Sequence, residues 1–145
     1  MSKTIFLLNG PNLNLLGTRE PEIYGHDTLS DVKARCVKHA ETLGVTLDFR
    51  QSNHEGVLVD WIQEARGVAD AIILNAGAYT HTSIAIHDAL KAYDGYKMEL
   101  HISDPKTREA FRHISYVELA SDGLIAGKGV AGYVMALDAV MEKIA

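Results

Sequence analysis

Cysteine occurs once in the 145 residues, at Cys36, so no disulfide can form within the chain. Proline occurs three times, and two of the three, Pro11 and Pro21, fall in one short stretch near the start. No Lys/Arg cluster is present, and 14 basic against 19 acidic residues leave a formal net charge of -5. Nucleic acid demands a concentrated basic face, so it is not expected as a partner. No apolar run approaches the roughly 18 residues of a membrane span, and the chain starts directly on strand-like sequence without a charged leader or cleavage site. The expectation is a soluble cytoplasmic protein with no membrane partner. Seven histidines are present, yet none falls in a His-x-His or His-Glu-x-x-His spacing and no Cys-x-x-Cys occurs, so no metal is expected. With 47% hydrophobic residues, a chain of this size matches one ordinary domain, 1–145, able to bury its own core.

Short apolar runs of strand length occupy residues 4–8, 45–49, 71–74 and 98–102, with a fainter one at 116–119. Helix-period segments lie between them. One starts at Thr28 or Ser30 and ends before Gly44, with Leu29, Val32, Cys36, Val37, Ala40 and Leu43 spaced to line one face. Cys36 therefore reads as a small core residue. A second helix covers 55–66, with Leu58, Ile62 and Ala65 inward and Gly67 at its end. Others run from Thr82 or Ser83 to residue 93 and from 130 to 144, with a short helical piece at 108–111. Strands too apolar to face water, alternating with helices, predict a parallel sheet covered on both faces. The small version is a flavodoxin-like three-layer α/β sandwich with five strands in the order 2-1-3-4-5.

Such sheets bind ligands beyond the carboxyl ends of their strands, where strand order reverses. The chain puts its polar residues there: Asn9, Asn12, Arg19 and Tyr24 after strand one, Asn75 and His81 after strand three, His101 and Ser103 after strand four, then Arg108 and Arg112. The loop after strand one, with three glycines and two prolines, needs roughly twenty residues to reach the next helix, a length usual for lids and binding loops. Bringing a tyrosine from its ordinary pKa of about 10 to neutrality requires about 4 kcal/mol, much of which a guanidinium in a partly dry site supplies. With no lysine or cysteine at the strand ends, an imine or thiolate route is not suggested. Tyr24 as base, His101 as acid and amide donors fit proton abstraction beside a carbonyl followed by loss of a leaving group.

Other readings stand beside this one. His81 suits either a substrate contact or a cap for the third helix, and Arg108 and Arg112, spaced to share a helical face, suit one surface charge and one anchor. His26, His39, His54, His87 and His113 read as surface or local structural residues. Gly127-Lys128-Gly129-Val130-Ala131-Gly132 matches a dinucleotide fingerprint, but too little chain follows for the second strand of that unit, so close helix packing is expected. The alternative from another class is a flavodoxin-like binding module. A phosphoacceptor receiver needs acids where this chain has Asn9 and Asn75, and a flavin module needs a short Ser/Thr-rich phosphate turn in place of the long Pro-containing loop.

The segments Leu8-Asn9-Gly10-Pro11-Asn12-Leu13-Asn14-Leu15-Leu16-Gly17, Arg19-Glu20-Pro21, Tyr24-Gly25, Gln51-Ser52-Asn53-His54-Glu55-Gly56, Asn75-Ala76-Gly77-Ala78-Tyr79-Thr80-His81-Thr82-Ser83 and His101-Ile102-Ser103 resemble type II 3-dehydroquinate dehydratase. The likeness continues through Arg108-Glu109-Ala110-Phe111-Arg112-His113 to Gly132-Tyr133. The resemblance implies a cofactor-free elimination of water from 3-dehydroquinate, in aromatic biosynthesis or quinate breakdown. It implies Tyr24 as a tyrosinate base supported by Arg19, an enolate stabilised through a water held by Asn12, and His101, oriented by Glu99, as the acid. It also implies Asn75, His81 and Arg112 on substrate hydroxyls and Ile102 and Ser103 on the carboxylate. Asp88 would reach the site of an adjacent subunit in trimers assembled into dodecamers, and residues 17–26 would close as a lid. The family pattern leads one to expect Arg at His87 and Asn at Asp104.

Overall fold

The computed structural model describes residues 2–18 and 20–145, with the side chain of Tyr24 also outside the description. Five strands, β1 (Thr4–Asn9), β2 (Thr46–Gln51), β3 (Ala71–Asn75), β4 (Tyr96–Leu100) and β5 (Gly123–Ile125), form one sheet in the order 2-1-3-4-5. Every neighbouring pair is parallel. The helices are α1 (Pro21–Tyr24), α2 (Leu29–Leu43), α3 (Glu55–Glu64), α4 (Ile84–Lys91), α5 (Tyr116–Ala120) and α6 (Ala131–Ile144).

Side-chain alternation divides the core into two layers. Ile5, Leu7, Ile73 and Leu100 pack with Val32 and Cys36 of α2 and Tyr133, Leu137 and Val140 of α6. Phe6, Leu8, Ile72 and Leu74 face the other way, against Leu58 and Ile62 of α3, Ile86 and Leu90 of α4 and Val117 of α5. Burial pushes the Cys36 thiol up to about 12, in keeping with its place in the core. Val37 departs from expectation: it is 40% exposed, because Leu29, Val32, Cys36, Ala40 and Leu43 already complete the buried stripe of α2.

The fifth strand is the main correction. Residues 116–119 belong to α5, and the strand is the three-residue segment Gly123–Ile125. Ser115 starts the helix by accepting a hydrogen bond from the Glu118 amide, and Val117 and Ala120, three apart, turn inward. A four-residue apolar run carries no decisive period, and a strand opening on glycine gives little signal. The expected helix at 108–111 is also replaced: 3-10 turns at Pro105–Thr107 and Ala110–Arg112 flank an extended Arg108. Arg108 and Arg112 therefore do not share a helical face.

Helix α4 follows a 3-10 turn at Gly77–His81, and of the two expected starting residues Ser83 is its cap. Ser83 is 1% exposed and accepts the Ile86 amide at 2.9 Å. Ser83→Ala is expected to lower stability by about 1 kcal/mol, seen as a lower urea midpoint with an unchanged slope. At the Gly127 to Gly132 segment, both Gly127 and Gly129 have positive φ, at 75° and 65°. A Cβ on Gly132 would meet Leu100 at 3.3 Å, so this segment serves close packing of α6 on the sheet.

Candidate active site

The strand register brings Asn9, Gln51 and Asn75 to one level at the carboxyl ends of β1, β2 and β3. Here the chain leaves β1 through Gly10, whose amide donates to the Asn75 carbonyl at 2.8 Å. A Cβ on Gly10 would sit 2.5 Å from the Ala76 carbonyl oxygen, so only glycine fits this crossing. Asn12 follows with φ of 70°, a left-handed conformation that asparagine tolerates better than most residues. Its amide donates to Asn53 Oδ1 at 2.9 Å, and Gln51 Nε2 donates to the Gly10 carbonyl at 3.1 Å. The last residue of β2 and the turn after it thus hold the first turn of the long loop. That loop is less irregular than its composition implies, since it contains the 3-10 turn Leu13–Leu15 and α1.

Asn75 is held by a buried network. Its Nδ2 donates to the Tyr133 hydroxyl at 3.1 Å, and that hydroxyl donates to Asn9 Oδ1 at 2.7 Å. The Gly77 amide donates to Asn75 Oδ1 at 3.2 Å. Burial pushes the Tyr133 phenol well above its ordinary pKa, so it stays neutral and acts as structure. His81 Nδ1 lies 2.8 Å from the Ile114 carbonyl. A carbonyl only accepts, so Nδ1 carries the proton and Nε2 is the acceptor of the neutral ring. Burial lowers the pKa of His81, and the nearby His101 and Arg112 charges add to this against the raising effect of the Ile114 bond. The capping reading of His81 gives way, since Ser83 caps α4.

Glu99 and His101 lie on the same side of the chain by strand alternation. His101 Nε2 is 2.6 Å from Glu99 Oε2, with Glu99 1% and His101 7% exposed. His101 follows the last residue of β4, which ends at Leu100 rather than at residue 102. Past it, the amides of Ile102 and Ser103 have no acceptor among the described residues. The Ser103 hydroxyl accepts from Arg108 at 3.2 Å.

Asn12, Asn75, His81, His101, Ile102, Ser103, Arg108 and Arg112 line one open cleft. Both arginines line it, in place of the expected one surface charge and one anchor. Glu99 sits behind His101, and Asp88 is on the exposed side of α4, away from this cleft. Arg19 and the side chain of Tyr24 lie outside the described residues; the Tyr24 backbone ends α1. Asp104 turns its carboxylate to the Lys106 amide at 3.0 Å and caps the following turn. His87 bonds the Tyr116 carbonyl and ties α4 to α5. His39 and His113 likewise take local partners, the Asp138 carboxylate and the Arg108 carbonyl. Among the described residues, no three His, Cys, Asp or Glu side chains group to hold a metal ion, and no helix is long and apolar enough to cross a membrane.

A family model described as Dehydroquinase class II matches residues 3–141. The chain belongs to this family. A 3-dehydroquinate dehydratase of Phenylobacterium zucineum is 57% identical over 139 residues, covering 96% of each chain. One of Streptomyces avermitilis is 61% identical over 137 residues, covering 94% of this chain and 86% of the relative. The crystal structure of a type II dehydroquinase from Butyrivibrio crossotus matches with a TM-score of 0.95 at 43% identity, covering 97% of this chain and 98% of that one. Several side chains that hold the site of this class II dehydroquinase carry little sequence signal. Gln51, Asn53, Thr80 and Tyr133 were visible within motifs but without a role, and Ser115 gave no signal; the partners of Thr80, Ser115 and Tyr133 are distant in the chain.

Proposed function

We propose that this dehydroquinase eliminates water from 3-dehydroquinate to give 3-dehydroshikimate, through an enolate and with anti stereochemistry, within a single catalytic domain. The observation that carries the reading is the buried Glu99–His101 pair, opening on a cleft lined by Asn12, Asn75, His81 and Arg112. Tyr24, as a tyrosinate stabilised by Arg19, removes the proton from the carbon beside the ketone. The electron pair moves onto the carbonyl oxygen, and Asn12 stabilises that oxygen through a water. The ketone then re-forms, a carbon–carbon double bond is made, and the C–O bond breaks as His101 protonates the departing hydroxyl. With Nε2 engaged by Glu99, Nδ1 is the nitrogen left to deliver that proton.

The remaining assignments follow the same chemistry. His81 Nε2, as an acceptor, suits a substrate hydroxyl, as do Asn75 and Arg112. The amides of Ile102 and Ser103, with the Ser103 hydroxyl, suit a carboxylate. Asp88, exposed on α4, serves the site of a neighbouring subunit in trimers that build a dodecamer, and the loop at 17–26 closes over bound substrate. The reaction uses no resident cofactor.

Ultraviolet absorbance tests the reading, because the product is a conjugated enone acid and the substrate is not. Purified protein treated with a chelator is expected to raise the absorbance of a 3-dehydroquinate solution, and borohydride pretreatment with substrate is expected to leave the rate unchanged. A flat trace from folded protein would overturn the assignment.

A further inference from the structure

Glu99 takes all its hydrogen bonds on one oxygen. His101 Nε2 at 2.6 Å, the Ser115 hydroxyl at 2.6 Å and the Thr80 hydroxyl at 2.8 Å all meet Oε2, while Oε1 is buried with no partner among the described residues. The donors come from separate elements. Thr80 lies in the turn after β3 and is fully buried, and Ser115 caps α5. We propose that Thr80 and Ser115 are positioning residues for the reaction, acting through Glu99 to keep its carboxylate charged and aimed at His101. This rests on the reading of His101 as the acid.

Proton counting supports the assignment. Ser115 Oγ already accepts the Glu118 amide at 3.0 Å, which leaves its single proton for the carboxylate at the shorter distance. The Thr80 hydroxyl lies 2.8 Å from both Glu99 Oε2 and Ser115 Oγ, and the carboxylate is the stronger acceptor. When His101 gives its proton to the leaving hydroxyl, the imidazole becomes neutral and Glu99 loses the cation beside it. The two hydroxyls are donors whose charge does not change through the cycle. They stabilise the carboxylate at that stage and oppose transfer of the proton from His101 to Glu99 instead of to the substrate.

Burial raises the Glu99 pKa, but the bond and charge of His101, then the Ser115 and Thr80 hydroxyls, outweigh it and hold the group below its ordinary value. A carboxyl held low is charged above that value and loses its charge as pH falls. Removing a hydroxyl therefore moves the loss to higher pH. Besides His101, the small pocket beside Glu99 is lined by Asp104, Lys106, Arg112, His113 and Glu118. None of these is hydrogen-bonded to Glu99, and Lys106 and Glu118 pair with each other.

The test is steady-state kinetics across pH for Thr80→Val, which preserves side-chain shape, and Thr80→Ser, which retains the hydroxyl, with His101→Ala as reference. Thr80→Val is expected to lower kcat by about tenfold or more with little change in KM. The acidic limb of its kcat profile is expected to move to higher pH, and Thr80→Ser to restore most of the rate. Should Thr80→Val not fold, Ser115→Ala with Ser115→Thr as its rescue carries the same comparison. Folded Thr80→Val with wild-type kcat and profile, or equal losses in Thr80→Val and Thr80→Ser, would overturn the inference while an inactive His101→Ala left the acid assignment standing. An active His101→Ala would overturn both.

Discussion

His101→Ala is expected to lower kcat by about a hundredfold to ten-thousandfold, the usual contribution of a positioned general acid. The hydroxyl leaves poorly as hydroxide, and among the described residues the cleft holds no equivalent donor at the end of β4: the other described histidine lining it, His81, carries its proton on the nitrogen that faces the Ile114 carbonyl. KM should change much less than kcat, because the proton transfer belongs to the transition state. The substitution also removes the hydrogen-bond partner of a buried carboxylate, so the thermal midpoint should fall. His101→Gln separates the two effects. Its amide can donate to Glu99 and still has no proton for the leaving group, so stability is expected to recover in part and turnover is not. Measuring kcat, KM and the unfolding midpoint of both variants checks this; near-wild-type kcat in either would remove His101 from the mechanism.

Tyr24→Phe is expected to abolish most turnover, by about a hundredfold or more, with the fold intact. Other phenols are poorly placed to replace it. The Tyr133 hydroxyl is locked between Asn9 and Asn75, the Tyr79 hydroxyl donates to the Asn53 carbonyl, and the Tyr93 hydroxyl donates to the Ala69 carbonyl, with burial and the nearby Asp70 raising its pKa to about 12. The substitution removes a single oxygen and keeps the ring, so the unfolding midpoint is expected to change little. Turnover and the unfolding midpoint measured together decide the matter. Near-normal kcat in Tyr24→Phe would sink the base assignment.

Much of the sheet was legible because the central strands β1 and β3 are short and apolar on both faces, as a helix-covered parallel sheet requires. Helices α2, α3 and α6 were legible from their apolar period. The failures fall where local signal is weak. Residues 116–119 are apolar enough for either state, and Ser115, which decides for helix by capping, is also a good loop residue. Arg108 and Arg112 have helical spacing, but the chain between them is extended at Arg108, so spacing alone misplaced them. Val37 is apolar on a helix whose buried face was already complete.

By itself the sequence determined the layer architecture, the strand order expected of it, and the clustering of polar side chains after β1, β3 and β4. These follow from hydrophobic period and from residue type at strand ends, both readable within a few neighbouring positions. Tertiary structure alone decided how those side chains are held. Tyr133 reaches Asn9 across 124 positions and Asn75 across 58. Thr80 and Ser115 reach Glu99 from 19 residues before it and 16 after. Such contacts arise where parallel strands lie side by side and the loops that follow them meet above the same edge, and no local spacing encodes which hydroxyl will meet which carboxylate there.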